Sequence, residues 1–92
     1  MNAEHAANTW NLISIDYNSG DVPASVKQYR PILYKDGNEF CCLLGPDPQN
    51  GIFGGGGSIQ EAIVDWDRHY HDYMQDADEE DLLLIRSWAN ND

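Results

Sequence analysis

The sequence predicts an α+β domain. A three- or four-stranded, mainly antiparallel sheet packs on one amphipathic helix as a β-β-β-α core, and a short C-terminal helix follows. Three observations carry that expectation. Two segments of strand composition, 29–34 and 40–44, flank Lys35-Asp36-Gly37-Asn38, and Asp-Gly favours a type I′ hairpin turn, in which both central residues take positive φ. Ser58 and Glu61 form a capping box, which satisfies two orphan amides at a helix start. Beyond it, apolar residues recur at helical spacing. The chain has 92 residues, enough for one modest core and too few for two, so 1–92 is expected to be a single domain.

Residues 1–9 are polar and Ala-rich and are expected to fray. From Trp10 to Tyr17, Ile13, Ile15 and Tyr17 alternate with Ser14 and Asp16, the period of a strand. A helix from Ala3 competes, because Ala6, Trp10 and Ile13 have helical spacing; the alternation favours the strand. Asn18 to Pro23 is turn chemistry. With Asp36 and Gly37 as the hairpin loop, Lys35 pairs with Asn38, Leu33 with Phe40, Pro31 with Cys42 and Tyr29 with Leu44. One face then gathers Tyr29, Leu33, Phe40, Cys42 and Leu44 as core. The other carries Arg30, Ile32, Tyr34, Glu39, Cys41 and Leu43, only partly polar and so half covered. Pro31 cannot donate to a ladder, which places it near the strand start or on an edge.

After a loop at 45–50, Gly51 to Gly54 read as a third strand, and Gly54 to Gly57 bend the chain into the helix. That helix is predicted over Ile59–Gln75. Ile59, Ala62, Ile63, Trp66, Tyr70, Tyr73 and Met74 fall in one stripe, as an amphipathic helix requires. Leu33, Phe40, Leu44 and Phe53 are its expected core partners. Residues 76–81 form an acidic linker. Asp78 then caps a second helix, with acids in its first turn and Leu82, Ile85 and Trp88 spaced to share a face. A buried strand is the competing reading for 82–88.

The formal net charge is −11, and it is uneven. Residues 58–92 hold ten acids and two bases, a net of −8; residues 1–57 hold six and three, a net of −3. Direct nucleic-acid binding is not expected, because phosphate neutralisation needs Lys and Arg. Charge this lopsided steers a basic partner to one end. Opposite the apolar stripe of the main helix, Glu61, Asp65, Asp72 and Asp76 form a nearly straight row. Their rises are about 6, 10 and 6 Å at helical pitch. With Glu79 and Glu80 they are the candidate partner-binding residues, able to pair with arginines of a basic protein.

No catalytic residues, cofactor or metal are expected. Gly54-Gly55-Gly56-Gly57-Ser58 lacks the lysine of a phosphate loop and reads as close backbone packing. His69 and His71 point to different sides of a helix. Their i,i+4 carboxylates, Asp65 and Asp67, read as surface contacts. The acid run at 76–81 lacks the glycine and terminal glutamate of an EF-hand. Cys41 and Cys42, adjacent in a strand, face opposite ways and cannot bridge; they read as reduced, buried thiols of a cytoplasmic protein. No apolar segment is long enough for a membrane span, and Met1 to Ala7 do not make a signal peptide.

The segments RPILYKDGNEFCCLLG and GIFGGGGSIQEAIVDW resemble the HicB-like antitoxin family and related small phage and prophage proteins. The hairpin Asp36-Gly37, the strand aromatic Phe40, the cap Ser58 and the pair Glu61-Ala62 carry that resemblance, over about half the chain. It implies a sheet packed on one helix and a role in masking a small basic toxin ribonuclease or another nucleic-acid-binding protein. Full antitoxins of this kind usually carry a DNA-binding domain after the core. Here only 76–92 follow, short and acidic. The expected function is therefore an acidic binding protein, not an enzyme, that inhibits or sequesters a basic partner protein. The alternative is a self-associating structural module, a homodimer through a free sheet edge.

Overall fold

A computed structural model of the chain describes residues 11–89. Its elements are strand β1 (Asn11–Ile13), helix α1 (Ala24–Tyr29), strands β2 (Ile32–Asp36), β3 (Glu39–Leu44) and β4 (Ile52–Gly56), helix α2 (Ile59–Gln75) and helix α3 (Glu79–Trp88). The strands form one antiparallel sheet in the order β1-β2-β3-β4. The α+β architecture is the predicted one, with four strands and the short C-terminal helix.

Helix α2 begins and ends where its pattern places it. The Ser58 hydroxyl accepts from the Glu61 amide at 3.1 Å, and the Glu61 carboxylate accepts from Gly57 N–H at 2.8 Å. Ala62, Ile63 and Trp66 are buried against the sheet, and Tyr70, Tyr73 and Met74 continue the stripe half-buried. Trp66 is fully buried. Its indole N–H donates to the Ile52 carbonyl at 2.9 Å, so the one polar atom of a large apolar side chain is satisfied. The ring stacks on Tyr70, with centroids 5.5 Å apart, and Tyr70 tilts against Tyr29 at the same separation.

Four sequence expectations change. First, the hairpin loop is Gly37-Asn38, with Asp36 opposite Glu39, Lys35 opposite Phe40 and Leu33 opposite Cys42. Only Gly37 takes a positive φ, +63°. One positive φ at a leading glycine is the pattern of a type II′ turn, whereas the type I′ turn expected at Asp36-Gly37 needs two. The pairing shifts by two residues, one full strand period, so the two faces keep the residues expected of them. Leu33, Cys42 and Leu44 are buried on the helix side, with Phe40 packed beside them.

Second, residues 24–29 form helix α1, and Tyr29 is its last residue instead of a strand residue. Arg30 closes it in the left-handed region at φ +51°, with its amide bonded to the Val26 carbonyl at 2.8 Å. Val22, Val26 and Tyr29 are buried in the main core, and the buried Ser25 donates its hydroxyl to Asp67 of α2.

Third, β1 stops at Ile13. Ile15 and Tyr17 still pack on the core from a non-strand segment, and the Tyr17 hydroxyl donates to the Pro31 carbonyl at 2.6 Å. Trp10 and the competing helix from Ala3 lie outside the described residues.

Fourth, the strand continues through Gly56, and Phe53 faces away from α2. Its partner is Leu43, and both belong to the second cluster, where Tyr34, Cys41 and Leu43 are buried and Ile32 and Phe53 pack alongside. Alternation decides this: Gly54, the neighbour of Phe53, is the residue beneath the helix. Burial, then the adjacent Cys41, pushes the Tyr34 phenol up to about 12. Cys41 and Cys42 are both free, both buried and on opposite faces.

Candidate functional site

The predicted acidic row divides into two halves with different work. An edge strand presents the N–H and C=O of every second residue outward, unpaired. β4 is such an edge, and Phe53 and Gly55 are its outward residues. Helix α2 lies along it and supplies their partners. The Asp65 carboxylate accepts from Gly55 N–H at 3.0 Å. His69 Nδ1 donates to the Phe53 carbonyl. Glu61 takes the Gly57 amide, as above. Asp65 and His69, one turn apart, thus hold the strand edge, and Glu61, a turn before them, holds the residue just after the strand.

Asp65 is accordingly not an open carboxylate. Its side chain is 22% exposed, it pairs with Arg68 at i,i+3, and His69 Nε2 stands 3.8 Å away. Partial burial alone would raise its pKa. The Gly55 amide, the Arg68 hydrogen bond, and the electrostatic influence of the His69 and Arg68 side chains together outweigh that and hold the carboxyl below its ordinary value. Asp67 likewise serves the fold, accepting from Ser25 and standing 3.3 Å from His71 Nε2. Both i,i+4 His–Asp pairs are the helix-surface contacts the spacing predicted. Among the described residues no group of three His, Cys, Asp or Glu is placed to hold a metal ion.

The second half is Asp72, Asp76, Glu79 and Glu80. All four are exposed. They gather where α2 passes into α3, and none of their carboxylates makes a hydrogen bond or ion pair with the described residues. Asp72 lies in the last turn of α2 and Asp76 caps it, with no base in that turn. A helix C-terminus carries partial negative charge, so both carboxylates stand against it. Glu79 and Glu80 occupy the first turn of α3, where the dipole favours them. The other acids of this corner are structural: Asp78 accepts from the Asp81 amide at 2.9 Å, and Asp81 accepts from the Asp78 amide at 3.2 Å.

Beside Asp72 an open groove of about 510 Å³ runs between the β3–β4 loop and α2. Pro48, Phe53, His69 and Tyr73 line it, with Asp72 on its wall. The sequence held no signal for it, because the groove joins residues of a loop, a strand and a helix that periodicity treats separately. Tyr73 is anchored at the far side by its hydroxyl, which donates to the Asp81 carbonyl at 3.4 Å, and by a tilted contact with Trp88.

No family model, curated protein or solved structure matches the chain. The antitoxin-like resemblance therefore rests on the hairpin, glycine and capping motif alone. Among the described residues no helix is long and apolar enough to cross a membrane.

Proposed function

We propose that this chain is an acidic binding protein that captures a basic, nucleic-acid-handling protein and blocks its working surface, in the manner of an antitoxin or a phage inhibitor of a host factor. The observation that supports it is the corner formed by Asp72, Asp76, Glu79 and Glu80: four exposed carboxylates that the fold does not use, two of them opposed to the dipole of their own helix. Of Glu61 and Asp65, counted with them on sequence grounds, Asp65 holds the strand edge and Glu61 the turn that leads into α2. Clustered carboxylates accelerate encounter with a basic partner, and half-buried aromatics beside them supply contact area.

The test is affinity capture by the intact chain and by a variant with Asp72 and Asp76 changed to Asn and Glu79 and Glu80 to Gln. The reading expects captured proteins of high isoelectric point, retained less as salt rises and lost in the variant. Capture that ignores both salt and the four substitutions refutes it.

The self-association reading keeps one edge. Among the described residues α2 occupies the outer side of β4 and no strand pairs with the outer side of β1, where Leu12 is 66% exposed. Sedimentation of a strict monomer removes that alternative.

A further inference from the structure

We infer that the groove between the β3–β4 loop and α2 is a receptor for a single arginine side chain of the basic partner. This deepens the proposed function and rests on it. The occupant follows from the chemistry of the walls. Pro48 and Tyr73 offer apolar and aromatic surface, which suits an aliphatic stem. Asp72 adds one exposed carboxylate with no partner among the described residues. His69 is committed through Nδ1 to the Phe53 carbonyl, which leaves Asp72 as the charge that selects. The next charges on this side of α2 are Asp76, one turn on, and Arg68, one turn back, which is held by Asp65. An anionic ligand meets the Asp72 carboxylate here, and a small metal ion lacks a third ligand.

A long cation with an apolar stem fits both features at once. Between the two candidates, arginine is favoured over lysine. Its flat guanidinium stacks on rings and bonds a carboxylate through two N–H groups, and it is less tightly hydrated than an ammonium. The charge complementarity extends beyond the groove, because the half of the chain that bears it, 58–92, carries a net of −8.

The experiment titrates the intact, isotope-labelled chain with a hepta-arginine peptide and, separately, a hepta-lysine peptide at one ionic strength, following amide chemical shifts. The expected result is a preference for arginine of roughly 3-fold, with the largest shifts at residues 51–53 and 69–73. Asp72→Asn weakens the arginine peptide by roughly 3-fold and removes the preference, whereas Asp36→Asn, at the hairpin end of the sheet, does not. Asp72 is exposed and unbonded to the described residues, so the variant keeps its fold. Equal binding of the two peptides, with equal effects of Asp72→Asn and Asp36→Asn, overturns the groove and leaves the basic-partner reading intact. No binding of either peptide overturns both.

Discussion

Gly54 lies directly under the backbone of Trp66: a Cβ placed on Gly54 would stand 2.2 Å from the Trp66 amide nitrogen and 2.5 Å from its Cα. Neither atom is the tip of a flexible side chain. α2 therefore touches the sheet backbone to backbone, and this contact brings Trp66 close enough to donate to Ile52. Gly54→Ala must push the helix off the strand. We expect a loss of about 3 kcal/mol in urea unfolding, at the upper end for overpacking. Gly57→Ala meets only the Glu61 carboxylate tip at 3.3 Å and should stay within about 0.5 kcal/mol of the parent. Equal tolerance at both positions would show that the helix is not seated on Gly54.

The same contact explains what the sequence could and could not reveal. The helix, its cap and its stripe were legible because they are local: Ser58, Glu61 and the spacing of Ile63 and Trp66 need no knowledge of the sheet. The glycines at 54–56 were ambiguous because their reason is tertiary. Glycine weakens a strand on its own, and only the approach of α2 makes it necessary. Helix α1 did leave a signal, the i, i+4, i+7 spacing of Val22, Val26 and Tyr29, which the strand-like run beginning at Tyr29 obscured. Periodicity places Asp65 on the solvent side of α2 because it gives an angle around the helix, not the position of a strand edge. Hydrophobicity alone places Phe53 in the core under α2, and strand alternation puts it on the other face.

Asp65 should matter to stability in a way Asp72 does not. Asp65→Ala leaves Gly55 N–H without its partner on a sheet edge, at a cost of about 1–2 kcal/mol. Asp65→Asn retains an acceptor and should recover roughly half of that. The pH dependence has a definite sign. The folded carboxyl titrates below its ordinary value, so its stabilisation is complete above the unfolded carboxyl value of about 4 and is lost as pH falls through the folded value. The gap between the parent and Asp65→Asn should be flat from about pH 5 to 8 and close in stronger acid. Urea midpoints across that range test it. A gap that widens on acidification contradicts the assignment.

Neither thiol should react in the native protein. Cys42 is fully buried and Cys41 nearly so, at 2% exposed. Burial pushes the Cys42 thiol far above its ordinary value, with Cys41 adding to it. Burial, then Glu39, raises Cys41. The thiolate is the reactive form, and at pH 8 both groups remain protonated. An aromatic disulfide reagent should label the urea-unfolded chain at both positions while leaving the native chain untouched over the same interval. A fast equivalent on the native protein would place one cysteine at the surface.

Asp72 and Asp76 should lower stability where Glu79 and Glu80 raise it, although the two pairs are adjacent and carry the same charge. The difference is the helix end each pair occupies. Asp72 and Asp76 sit at the C-terminal, partially negative end of α2; Glu79 and Glu80 sit at the N-terminal, partially positive end of α3. Asp72→Asn with Asp76→Asn should therefore raise the urea midpoint, by about 0.5 kcal/mol at low salt, with the gain fading as salt screens it. Glu79→Gln with Glu80→Gln should lower the midpoint by a similar amount. Shifts of the same sign in the two variants would mean that self-repulsion among the acids, not the helix dipoles, sets the energetics of this corner. If the signs differ and the Asp72/Asp76 variant also loses a basic partner, these two carboxylates weaken the fold and serve the interaction. A merely solubilising face would not show that combination, because its charges could be exchanged without any change in binding.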